Sequence, residues 1–172
     1  MAFDTYLIIG GGSVIKGEAT AKGLKPAAGW MEIFSFSWGV SNPTTVGTSG
    51  KGLSAGKASV SSFNVMKKSD NASPSLFAAC CGGTHFDNAS VVMRKATGKD
   101  GGQAEFLRYD FESVMIESLQ WSGSSGGDDT PTESVSFAFG KVTIQNWIQD
   151  TAKGELAKGA SAIYSIVEAA KG

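Results

Sequence analysis

Residues 31–38 read Met31-Glu32-Ile33-Phe34-Ser35-Phe36-Ser37-Trp38. Successive side chains of a β-strand point to opposite faces, so this stretch sets Phe34, Phe36 and Trp38 on one face and Met31, Ile33, Ser35 and Ser37 on the other. The aromatic face is expected to be core, with the hydroxyls of Ser35 and Ser37 opposite it. A strand carrying three aromatic rings on one face needs neighbours, and the flanking sequence supplies them.

Upstream, residues 3–9 are β-rich and residues 14–18 form a second short run. Gly10-Gly11-Gly12 between them is a turn signal, so a hairpin is expected. Downstream, residues 40–56 are Asn, Pro, Thr, Ser and Gly with almost nothing apolar, which predicts a long flexible loop of about 16 residues. Residues 59–67 alternate again through Val60, Phe63 and Val65. Residues 73–83 differ: Ser73 is a good N-cap, Pro74 suits the first helical position, and Gly82-Gly83 supplies a left-handed stop, so one short helix is expected. Residues 91–95, 104–114, 115–121 and 133–148 are further strand-like runs, separated by Gly-rich breaks at 98–102 and 122–132. Eight or so strands around one helix point to a mainly β fold, a barrel or a sandwich. The segment 150–172 opens with a Lys/Gly/Ala linker, and its apolar stretch 160–170 fits helical and strand spacing equally.

Composition sets the outer limits. The 172 residues form one domain, large enough to bury about 70% of the unfolded surface without staples. A net charge of −1 gives no basic face for nucleic acid or anionic lipid. Only 18% of residues are charged, below the usual ~25%, which favours a surface partly covered by copies of itself. No apolar run reaches 18 residues, so no membrane-spanning helix is expected, and the N-terminus lacks the basic and apolar regions of a secretory signal. Cys80 and Cys81 are adjacent; a vicinal disulfide would be strained, so two reduced thiols are expected.

Catalytic inventory is thin. The single histidine, His85, excludes a His-pair metal site and reads as a surface or turn residue. Gly50-Lys51 lacks the upstream glycine and the following hydroxyl of a phosphate loop, and Gly10-Gly11-Gly12 is followed by Ile15 where a dinucleotide fingerprint needs glycine. Asp128 and Asp129 with Glu133 nearby match no calcium-loop spacing and read as a solvated acidic turn. Cys80 lies among Leu76, Phe77 and Ala79, where cysteine is a small core hydrophobe. Trp30, Trp38, Trp121 and Trp147 are explained by core packing. No catalytic residue, cofactor or metal site is assigned.

Several collinear blocks resemble the Hcp family, the haemolysin-coregulated proteins of type VI secretion systems. They are Met1-Ala2-Phe3-Asp4-Thr5-Tyr6-Leu7, Lys16-Gly17-Glu18, Phe34-Ser35-Phe36-Ser37-Trp38-Gly39-Val40-Ser41, the Gly-rich loop to Gly56-Lys57, Ala72-Ser73-Pro74-Ser75-Leu76-Phe77 with Ala79-Cys80, Arg94-Lys95-Ala96, Glu105-Phe106-Leu107, and Ser122-Gly123 through Asp128-Asp129 to Ser136-Phe137. The chain departs from the family pattern at the Gly10–Gly12 turn and after Asn146. The resemblance implies a barrel-like pair of antiparallel sheets with one short flanking helix, and a structural role: six copies closing a ring, rings stacking into a tube. It further implies effectors in the lumen, a trimeric spike protein at the tip, a contractile sheath outside, and synthesis in the cytoplasm followed by export through the apparatus without a signal peptide.

In that frame Ser35 and Ser37 are the lumen and cargo candidates. The loop 40–56 and its surroundings are the ring-stacking candidates: Val46, Ser49, Lys51, Leu53 and Lys57, with the lysines of one ring meeting Asp128 and Asp129 of the next. A tail-tube protein of another contractile particle, such as a phage tail or extracellular injection system, has nearly the same domain physics. A monomeric ligand-binding β domain or small hydrolase is the reading from a different class.

Overall fold

The computed structural model describes residues 3–47, 52–97, 102–127, 130–149 and 156–171, with residues 170 and 171 described by backbone alone. The elements in chain order are β1 (Asp4–Ile9), β2 (Met31–Ile33), β3 (Ser35–Ser37), β4 (Val40–Ser41), β5 (Thr44–Val46), β6 (Leu53–Ala55), β7 (Ser59–Val60) and β8 (Phe63–Lys68). After these come α1 (Ser73–Gly82), β9 (His85–Ala96), β10 (Gln103–Ser122), β11 (Thr132–Gln149), β12 (Leu156–Ser165) and β13 (Ala170–Lys171).

Nine strands form one sheet whose backbone order runs β13-β12-β11-β10-β9-β1-β2. Strand β11 serves two partners on its other edge: its residues 141–149 pair with β12, and its residues 132–137 pair with β8. Strand β8 in turn pairs with β3, which follows β2 after a single residue. The circuit β1, β9, β10, β11, β8 and β3/β2 therefore curls into a nearly closed barrel, the mainly β, barrel-like architecture with one helix that was expected. Inward residues of all these strands, among them Leu7, Met31, Phe63, Val91, Phe111, Val135 and Phe137, meet in one core, and α1 adds Leu76 and Ala79 while packing against β10.

The closure point corrects the reading of residues 31–38. Phe34 is 55% exposed, while Met31 and Ile33 are buried and Phe36 and Trp38 pack on the core. At Phe34 the chain leaves its pairing with β1 and takes up pairing with β8, and the Phe34 N–H donates to the Met66 carbonyl at 3.0 Å. Two consecutive outward residues, Phe34 and Ser35, invert the alternation, so the inward set changes from odd to even positions.

The expected hairpin of residues 3–9 with 14–18 does not form. Gly10–Gly12 make a 3₁₀ turn, and β1 pairs instead with β2 and β9. Residues 13–29 run as a strap over the outer face of β1, where Leu24 and Trp30 close a second small core on Tyr6, Ile8 and Val92. The continuous apolar run Tyr6-Leu7-Ile8-Ile9 is the mark of a strand buried on both faces, and a hairpin would have covered an edge but not that second face. Gly17 lets the strap lie flat: it bridges to Gly29, and a Cβ there would stand 2.1 Å from the Trp30 carbonyl oxygen.

Two further expectations change, and the type of the C-terminal segment, open between helix and strand in the sequence, is settled. The supposed loop 40–56 is an arm of paired short strands, β4 with β7 and β5 with β6. Runs 104–114 and 115–121 are one strand, β10, bent at Ser113 (φ 56°) and with a register shift beside Glu117. The tail resolves as strand, since β12 extends the sheet beyond β11. Helix α1 stops at left-handed Gly83 (φ 60°) as expected, but its N-cap is Ala72 and not Ser73, whose hydroxyl turns inward. Asp70 stands in for the cap by accepting the Ala72 N–H at 3.0 Å.

Candidate functional site, a hydroxyl-lined sheet face

Outward positions of β3, β8, β11 and β10 fall into register as two rows. Ser37 stands opposite Asn64, Asn64 opposite Ser136, and Ser136 opposite Ser118; beside it run Ser35, Met66, Ser134 and Gln120. With strands about 4.8 Å apart, each row spans about 14 Å. The alternate positions, Phe36, Val65, Val135 and Leu119, face the core, and this inward set leaves Ser35, Ser37 and Ser118 exposed, with Ser134 half-buried and Ser136 covered between its neighbours.

The face is polar and nearly uncharged. Ser35, Ser37 and Asn64 are exposed, and the Asn64 amide donates to the Ser37 carbonyl at 3.4 Å. Neither row holds a charged residue; the nearest charges are Lys68, the next outward residue of β8, and Glu117, set in the register shift of β10, whose carboxylate accepts from Ser62 at 2.5 Å and Ser136 at 3.4 Å. Such a surface offers many adaptable hydrogen bonds and commits to none.

Next to this face projects the arm. Val46 and Leu53 are cross-strand partners, 69% and 74% exposed, and Lys57 is exposed between β6 and β7, toward the base of the arm. Ser49, Lys51, Asp128 and Asp129 lie outside the described residues, and the expected lysine–aspartate meeting lies there with them. The structure thus brings Ser35 and Ser37 onto one face and Val46, Leu53 and Lys57 onto one arm.

Glu133 is a correction. Instead of belonging to a solvated acidic turn it is 1% exposed, paired with Lys67, which is 0% exposed. Lys67 Nζ donates to Glu133 Oε1 at 2.5 Å and to Asp70 Oδ1 at 2.7 Å. Glu133 also accepts from Ser73 Oγ, Ser69 Oγ and Trp121 Nε1, so its charge is fully hydrogen-bonded. This network joins β8, β10, β11 and the start of α1. Its signal was present in the alternation: Lys67 continues the inward series Phe63, Val65, and Glu133 begins the inward series Val135, Phe137, placing opposite charges at matching offsets.

The remaining candidates stay structural. His85 is exposed at the start of β9; Cys80 is half-buried, Cys81 exposed, and both thiols are free. Trp30 is buried in the second core, while Trp121 is 47% exposed and packs against Phe77. Among the described residues no group of His, Cys, Asp or Glu is placed to hold a metal ion, and no helix is long and apolar enough to cross a membrane. Burial raises the Tyr6 phenol above its ordinary pKa, with Asp4 and Glu32 adding to the shift and Arg94 opposing it.

The geometry on hand is a nearly closed barrel with a polar sheet face, a projecting arm and a buried charge network. The family model for the type VI secretion system effector Hcp matches residues 6–146, and the chain belongs to that family. It is 34% identical over 88 residues to the Hcp1 protein of Pseudomonas aeruginosa, a match covering 51% of this chain and about half (52%) of that relative's length. A solved type six secretion system protein superposes with a TM-score of 0.87 at 32% identity, covering 99% of this chain and 100% of the other. Hcp1 from Salmonella typhimurium superposes with a TM-score of 0.75 at 27% identity, covering 99% of each.

Proposed function

We propose that the chain is the subunit of the type VI inner tube: six copies close a ring, rings stack through the arm, and effectors travel through a lumen walled by the hydroxyl face. The observation that carries this reading is the four-strand face itself, with Ser35 and Ser37 at its edge and no charged residue in either of its two rows. A lumen that passes unrelated proteins must avoid fixed charge patterns, which reject as strongly as they attract, and small hydroxyls meet that demand. The exposed Val46–Leu53 pair on the arm supplies apolar area for ring-to-ring contact, and the low charged fraction suits a surface covered by copies.

In this role the spike protein meets the terminal ring, the contractile sheath surrounds the tube, and the subunit passes from cytoplasm to exterior through the apparatus. Light scattering on the eluting protein tests the ring. A particle of six times 17.8 kDa is expected, and a monomer at high concentration contradicts the assignment.

A further inference from the structure

The hydroxyl face is interrupted at one place. Met66 stands in the row between Ser35 and Ser134 and is 44% exposed, and Phe34, whose N–H bonds the Met66 carbonyl, is 55% exposed. Phe34 also lines a cleft of about 520 Å³ whose wall includes Glu32, Lys68, Asp70 and, from the strap, Glu18 and Ala19. The cleft lies where the strand switch turns Phe34 outward, between the strap and the residues that follow β8.

We propose that Phe34 and Met66 are the anchor of the cargo surface, taking an apolar side chain of an effector that is followed by a basic residue. This rests on the reading of the hydroxyl face as the cargo wall. An interface concentrates its binding energy in a small apolar centre, and polar surroundings contribute complementarity more than affinity. Methionine suits many partners, being flexible and polarizable. The basic neighbour follows from charge: Glu18, Glu32 and Asp70 outnumber Lys68 around the cleft. Among the described residues Glu32 makes no ion pair, whereas Asp70 shares Lys67 with Glu133 and Glu18 accepts the Asn71 N–H at 3.2 Å. An arginine or lysine beside the anchored side chain meets that excess.

Fluorescence anisotropy with three labelled twelve-residue Gly/Ser peptides, carrying a central Leu-Arg, Leu-Glu or Ser-Arg pair, tests the proposal on the assembled protein. The Leu-Arg peptide is expected to bind at least tenfold more tightly than the other two. Phe34→Ser and Met66→Ser should each weaken it at least fivefold, and Glu32→Gln should erase the preference for Arg over Glu; circular dichroism and light scattering check that each variant keeps its fold and assembly. Equal binding of the three peptides overturns the anchor. Ser37→Trp separates the anchor from the reading beneath it. Binding that survives Phe34→Ser and Met66→Ser but falls with Ser37→Trp overturns the anchor and keeps the cargo wall; binding that no variant changes overturns both.

Discussion

The Nζ of Lys67 lies 2.5 Å from Oε1 of Glu133, directly across the β8–β11 ladder, and neither side chain has accessible surface. A buried pair is costly to break from one side, because the surviving charge is left without its partner. Lys67→Met is therefore expected to cost about 3–5 kcal/mol. Adding Glu133→Leu should recover part of that loss, since the orphaned carboxylate goes with it. Urea denaturation of the single and double variants measures both; a single variant within about 1 kcal/mol of the parent contradicts the account of this network.

Phe63 is the centre of the aromatic core. Its ring centroid lies 5.0 Å from Phe111, 5.3 Å from Phe137 and 5.5 Å from Phe36, joining β3, β8, β10 and β11. Phe63→Ala removes these contacts at a fully buried position and is expected to cost about 3–5 kcal/mol. A thermal melt barely displaced from that of the parent would show that the strands on either side close without it.

Alkaline pH acts through Tyr6. Because the folded state raises this phenol's pKa, the unfolded chain ionises first as pH climbs, near pH ~10. Tyr6 therefore contributes no penalty below that pH, and stability is lost progressively as pH rises from there through the folded pKa. Tyr6→Phe keeps the ring in the second core and removes the proton, so its stability curve should stay flatter as pH rises above about 10. Parallel curves for the two proteins would assign the alkaline loss to other groups.

The arm carries the proposed stacking contact. Val46→Ser with Leu53→Ser removes exposed apolar area from a cross-strand pair, and exposed sites contribute little to the fold, so the melting temperature should stay put. Electron micrographs should then show rings without long tubes. Tubes of undiminished length would place stacking elsewhere on the subunit.

Much of this architecture was legible in residue patterns, and its exceptions have physical causes. Alternation found the strands and Gly83 ended the helix, because both signals are local. The pairing of β1 was not local: its second buried face is covered by residues 13–29, and only the unbroken apolar run Tyr6–Ile9 hinted at this. Phe34 broke its alternation for a tertiary reason, the exchange of partner from β1 to β8. The arm was taken for loop because its strands bury almost nothing, and so carry no periodic apolar signal. Ser35 and Ser37 were recognisable as a polar face from their own strand. The rest of that face was not, because Asn64, Ser134 and Ser136 come from strands distant in sequence that only the register brings alongside.

The central claim is that the hydroxyl face looks into the channel of a ring. Electron microscopy of a Ser37→Cys variant, made in a Cys80→Ala, Cys81→Ser background and labelled with a maleimide gold cluster, tests it directly. The account predicts six-membered rings with gold density in the central channel. Rings carrying gold on their outer wall, or particles of single subunits, contradict it.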